Sequence, residues 1–132
     1  MKVLIVPGNV QNAKSYPFWT QLYILLKDHE IREVKGILTE KEIIEQIKWC
    51  DVWISIDSFI QHLVAYHKLK RGIVLWGTSY PDIFGYSTNL NLLKDRGYLR
   101  PNPFLWWKAE AWNPEAFVAP EVVVEAIKSM VQ

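Results

Sequence analysis

Short apolar, largely β-branched runs alternate with helix-start signals along this sequence, and that alternation restricts the fold more than any other feature. Residues 2–6, Val52-Trp53-Ile54-Ser55-Ile56 and Ile73-Val74-Leu75-Trp76 are continuously apolar or nearly so. That is the pattern of strands covered on both faces. The first ends at Pro7-Gly8, the second at Asp57 and the third at Gly77; residues 31–35, closed by Gly36, make a weaker strand. Between them the helix signals are local. A helix is predicted over roughly 17–28, beginning at Pro17. Thr39 and Glu42 have the T-x-x-E spacing of a capping box, with Leu38 and Ile43 at hydrophobic-staple positions and Ile43, Ile44 and Ile47 as the buried stripe. Ser58 and Gln61 repeat the box spacing, predicting a helix from about 59 to 69. Glu121 to Val131, with Pro120 at the first turn, closes the chain. Strand–helix alternation with short loops implies an α/β fold with a small parallel sheet and right-handed crossovers. Residues 77–119 resist the same reading; five of the seven prolines lie between 81 and 120.

Composition narrows the function classes. A chain of 132 residues, half of them apolar, fits one domain over 1–132 with a real core. Its net charge of +1 argues against a broad electrostatic grip on nucleic acid or an anionic membrane. Cys50 is the single cysteine, which excludes an internal disulfide and a cysteine-built metal site. No His/Asp/Glu group has metal-ligand spacing, so no metal and no cofactor is expected. The N-terminal apolar run is too short for a signal peptide and no stretch approaches a membrane span, so a cytoplasmic location is expected.

In open parallel sheets, ligands bind beyond the carboxyl ends of the strands, beside helix N-termini. Pro7 to Lys14, Asp57 to His62 and Gly77 to Asp82 converge there. With Ser58 as N-cap, Asp57 is N′ and His62 is N4, so their side chains are expected next to one another at a helix mouth. The backbone N–H groups of that first turn favour an anion such as phosphate. A satisfied Asp–His capping pair without ligand is the competing reading. The first loop lacks the G-x-x-x-x-G-K-[ST] spacing of a P-loop, although Lys14 can offer a point charge to phosphate. Tyr80, Asp82, Tyr86 and Asn89 are candidates for the rim of the pocket, whereas His67 reads as surface. The aromatic cluster Phe104, Trp106, Trp107 and Trp112 reads as core filling or a homodimer interface, with a base-stacking lid as the alternative.

Taken together, these segments resemble the C-terminal half of the family 9 glycosyltransferases, the bacterial lipopolysaccharide heptosyltransferases. Pro7-Gly8-Asn9-Val10-Gln11-Asn12-Ala13-Lys14-Ser15-Tyr16-Pro17 is similar to the family's P-G-A-S-x-x-A-K-x-W-P loop. Asp51 to Ala65 is similar to its D-x-V-I-S-x-D-[ST]-G-x-x-H-L-x-A signature, and Ile73 to Pro81 to its V-x-L-F-G-x-T-x-P strand and loop. Val118-Ala119-Pro120-Glu121-Val122 resembles the I-x-P-E-x-V start of its last helix. The resemblance implies a single Rossmann-like domain, half of a GT-B fold, that binds a nucleotide-diphosphate sugar. It further implies that Lys14, Ser58, the backbone at Phe59 and His62 face the diphosphate, that Leu38 lies near the base, and that Asp57 orients its loop and the histidine. Gly8, Asn9, Gly77, Thr78 and Ser79 complete the expected ligand-binding set; no catalytic residue is expected. Departures are also visible. Phe59 stands where the family has glycine, and Val10 replaces its loop serine. One strand–helix unit with an acidic residue for the ribose is missing, and so is the N-terminal domain that holds the acceptor site.

The expectation for function follows from those departures. The chain reads as a binding module for an ADP-containing small molecule, an ADP-sugar or an ADP-ribose-type signal. It would hold the molecule without chemistry, as viral anti-defence proteins that sequester a nucleotide do, and would self-associate as a homodimer. The alternative is a subunit of a family 9 glycosyltransferase that acts only with a catalytic partner half.

Overall fold

A computed structural model describes residues 1–8, 14–36, 38–104 and 111–130. Five strands, β1 (Lys2–Val6), β2 (Glu30–Glu33), β3 (Val52–Ile56), β4 (Ile73–Trp76) and β5 (Leu90–Leu93), form one parallel sheet in the order β2-β1-β3-β4-β5. Val3 sits opposite Ile31 on one side and Val52 on the other; Ile54 pairs with Ile73, and Ile73 with Leu90. The order reverses direction between β1 and β3, and in such Rossmann-like sheets that is where a crevice opens at the carboxyl edge.

Both faces of the sheet are covered, which is why the central strands read as unbroken apolar runs. Val3, Ile5, Ile54 and Ile56 point to one side and pack with Leu22 of α1 (Trp19–Leu25), with Phe117, and with Val123 and Ile127 of α5 (Pro120–Met130). Leu4, Val6, Trp53, Val74 and Trp76 point to the other and pack with Ile43 and Ile47 of α2 (Glu40–Trp49) and Ile60 and Val64 of α3 (Phe59–Tyr66). Two glycines allow large rings to close on the sheet. A Cβ at Gly72 would lie 2.1 Å from the Trp53 ring, and one at Gly77 would lie 2.5 Å from the Phe117 ring. The buried Tyr16 hydroxyl donates to the Val118 carbonyl at 2.9 Å and ties the first loop to the last segment. Burial pushes that hydroxyl's pKa well above the ordinary tyrosine value.

The α2 start forms as the sequence dictates. Glu42 N–H donates to Thr39 Oγ1 at 3.2 Å while Thr39 N–H donates to Glu42 Oε1 at 2.9 Å, the reciprocal pair of a capping box. These bonds hold the Glu42 carboxyl below its usual range. Leu38 and Ile43 join the same apolar cluster, as a staple requires.

Three expectations need correcting. α1 is shorter than the predicted 17–28, because the chain turns after Leu25. α3 stops at Tyr66 short of 69: Lys68 adopts a positive φ of 53° and Leu69 N–H reaches back to the Val64 carbonyl. The Ser58–Gln61 box does not form; Ser58 is the N-cap but its side chain caps nothing. The proline-rich stretch also contains elements that sequence pattern did not reveal, namely α4 (Pro81–Phe84), β5 and 3-10 turns at Arg96–Tyr98 and Pro114–Ala116. Among the described residues no helix is long and apolar enough to cross a membrane.

Candidate functional site

The loops after β1, β2, β3 and β4 meet at the carboxyl edge of the sheet, and the expected ligand-binding residues there fall into two groups. The first lines a cleft of about 230 Å³ beside the β1/β3 switch point. Gly8, Leu38, Ser58 and Phe59 are in its wall, joined by Val6, Val34, Gly36, Ile43 and Ile60. Gly8 has a φ of 88°, a conformation that costs other residues strain, and a Cβ there would approach Ile56 Cδ1 to 3.1 Å. The wall is mostly hydrocarbon. Its polar end is the first turn of α3, where Ser58 leaves the backbone donors without a side-chain cap.

The second group packs more tightly. Lys14, Asp57, Gly77, Thr78 and Ser79 surround a niche of about 10 Å³, room for one water-sized group. Lys14 Nζ lies 3.1 Å from Asp57 Oδ2. Asp57 Oδ1 accepts from Gln61 Nε2 at 2.8 Å. Both Asp57 and Gln61 are buried, and Gln61 Oε1 has no hydrogen-bond partner.

Asp57 and His62 do not form the expected pair. The Asp57 carboxylate is buried and takes the donors that reach it from inside, Lys14 and Gln61. His62 lies on the solvent side of α3, where its Nδ1 is 2.8 Å from the Tyr86 hydroxyl and the two rings meet edge to face at 5.4 Å. Gln61, one residue earlier on the helix, therefore takes the place beside Asp57 that was expected of His62. Its spacing of four from Asp57 was the available signal, since residues four apart share a helix face.

The other candidates are dispersed. Asn9 lies outside the described residues, as do Val10, Trp106 and Trp107. Tyr80 donates its hydroxyl to the Arg100 carbonyl at 2.6 Å, and Asp82 pairs with Arg96 at 3.7 Å. Asn89 Oδ1 accepts from Gly72 N–H at 3.1 Å, a structural bond at the amino end of β4. His67 Nε2 contacts Glu40 Oε1 at 2.6 Å and joins α3 to α2. Phe104 is exposed and packs edge to face with Phe84, while Trp112 donates to the Ser15 carbonyl at 2.8 Å. Among the described residues no three His, Cys, Asp or Glu side chains are grouped as a metal site would need.

No family model, no curated protein and no solved structure matches this chain. Any reading of function therefore rests on the residues and geometry of the two groups.

Proposed function

We propose that this protein binds a nucleotide-diphosphate small molecule, an ADP-sugar or ADP-ribose-type compound, at the carboxyl edge of the sheet. The observation that carries the reading is the apolar cleft abutting the α3 N-terminus. Its volume is below the ~300–1,000 Å³ of sites that engulf a drug-sized ligand, and it suits a planar base with the remainder lying across the mouth. Phe59, exposed at the first turn of α3, offers a ring to such a base. The diphosphate would meet the first-turn N–H groups, with Lys14 and His62 on either side. Gly77, Thr78 and Ser79 support the Lys14–Asp57 pair from below in this reading.

Holding without turnover is the proposed activity, for a chemical reason. Asp57, the carboxylate best placed to act as a base, is already engaged at both oxygens, by the Lys14 ammonium and the Gln61 amide, and faces a water-sized niche apart from the cleft. We further propose a cytoplasmic homodimer in which each subunit holds its own ligand.

Calorimetry with ADP-heptose, ADP-ribose and cyclic ADP-ribose isomers, followed by chromatography of the recovered ligand, tests the proposal. Saturable binding with intact ligand is expected. Release of ADP plus sugar would replace it with the glycosyltransferase-subunit reading, and no binding of any adenine nucleotide at millimolar concentration would end it. Lys14→Ala and His62→Ala are each expected to weaken binding by about 1–3 kcal/mol, the loss of a charged hydrogen bond.

A further inference from the structure

The β2 edge of the sheet carries a self-complementary charge pattern, and it gives the proposed homodimer an interface. Glu30 N–H donates to the Met1 carbonyl at 3.0 Å and Val34 N–H to the Ile5 carbonyl at 2.9 Å. By the two-residue period of a strand, the backbone groups of Ile31 and Glu33 therefore face away from β1, and among the described residues no further strand lies beyond them. Among the described residues the edge is open: Tyr23 of α1, Ile31 to Glu33, Lys35 and Gln46 of α2 line a shallow groove of about 550 Å³ along it. An edge of this kind is a template for another strand.

We propose that a second copy of the chain pairs there, β2 antiparallel to β2, about a two-fold axis through Ile31. Outward-facing backbone must meet outward-facing backbone, so the axis passes through a residue. Placed at Glu30, Arg32 or Glu33, it sets two identical charges directly opposite, a destabilising arrangement. Placed at Ile31, it sets Glu30 against Arg32 twice, while the two Ile31 side chains meet at the axis. Glu30 and Arg32 fall at the non-hydrogen-bonded positions, where side chains come closest. The Arg32 guanidinium is stacked 4.0 Å over the Trp49 ring, which limits the conformations it loses on pairing. The opposite edge offers no such code. β5 reads Leu-Asn-Leu-Leu, and the Asn91 side chain is spent on the Trp76 indole and the Tyr86 carbonyl. The interface joins two five-stranded sheets into one.

Sedimentation of the purified chain, with two charge-reversal variants, tests the pairing. The wild-type chain is expected to be a dimer. Arg32→Glu and Glu30→Arg, each placing like charges opposite twice, are each expected to raise the dissociation constant by about tenfold or more. Mixing the two variants should restore a dimer, now a heterodimer, because the paired arginines of one chain would face the paired glutamates of the other. Ile31→Pro, which removes an outward N–H and leaves the β1 bonds intact, should give a folded monomer by circular dichroism. A wild-type dimer indifferent to both reversals would overturn the edge pairing and keep self-association through another face. A wild-type monomer at near-millimolar concentration would overturn both, and neither result bears on nucleotide binding.

Discussion

Lys14 Nζ stands 3.1 Å from Asp57 Oδ2, and the pair joins the end of the first loop to the end of β3 beneath the candidate site. Asp57 is 7% exposed, so its carboxylate depends on protein donors rather than water. Asp57→Ala would also leave the buried Gln61 amide without its acceptor. Breaking a buried pair costs up to about 3–5 kcal/mol, and the partial exposure of Lys14 lowers the expected loss to about 2 kcal/mol. Urea unfolding checks this. A loss within experimental error of zero would mean that water already serves the carboxylate.

The glycines beneath the two large rings make a sharper prediction. Gly72→Ala and Gly77→Ala push a methyl group into Trp53 and Phe117, neither of which has room to retreat in a covered sheet. Overpacking of this kind costs about 1–3 kcal/mol or more, whereas Gly36→Ala meets no neighbour and is limited to the strain of its positive φ. Thermal melts of the three variants should rank Gly36→Ala mildest. A Gly72→Ala protein as stable as wild type would mean that the Trp53 ring moves freely.

Cys50 should be inert in the folded chain. Burial pushes its thiol up to about 11, and Sγ donates to the Ile47 carbonyl. At pH 8 the group is protonated as well as covered, so a disulfide reagent should react only after denaturant is added. Rapid labelling of the native protein would contradict the burial of Cys50 at the C-terminal cap of α2.

The α2 capping box has a predictable response to acid. Glu42 has a folded pKa below its unfolded one, so its contribution is present above the ordinary glutamate range and is lost as pH falls through the lowered folded value. Chemical denaturation of wild type and Glu42→Gln at neutral and acidic pH should therefore show the two converging in acid. Thr39→Ala should cost about 1 kcal/mol at neutral pH. Parallel pH profiles for wild type and Glu42→Gln would remove the carboxylate from the cap.

What was legible beforehand divides along the source of the stabilisation. Runs such as Ile73 to Trp76 were readable because each residue is buried on one face or the other, and the α2 start because a capping box is a local four-residue device. β5 was not readable. It has four residues, no β-branched side chain and an Asn in second place, and it exists because Leu90 and Leu92 pack into the α5 side of the core while Asn91 satisfies the Trp76 indole. The site shows the same division. Loop positions at the sheet's carboxyl edge followed from topology, and Gly8, Leu38, Ser58 and Phe59 meet in one cleft. Partner choice among Asp57, Gln61 and His62 did not, because it turns on which donor reaches a buried carboxylate first.

The bond from the Tyr16 hydroxyl to the Val118 carbonyl, with Phe117 beneath β4, has a consequence for the order in which the fold can be completed. β1, which leaves the ribosome before the other four strands, is an inner strand of the sheet and waits for β3. Its α1 side is covered by α1 alone until Phe117 and α5 have also emerged. Contacts of such sequence separation are slow to form because the loops between them must close first. A nascent chain halted before residue 117 would present one finished face and one half-covered apolar face, a natural substrate for chaperones.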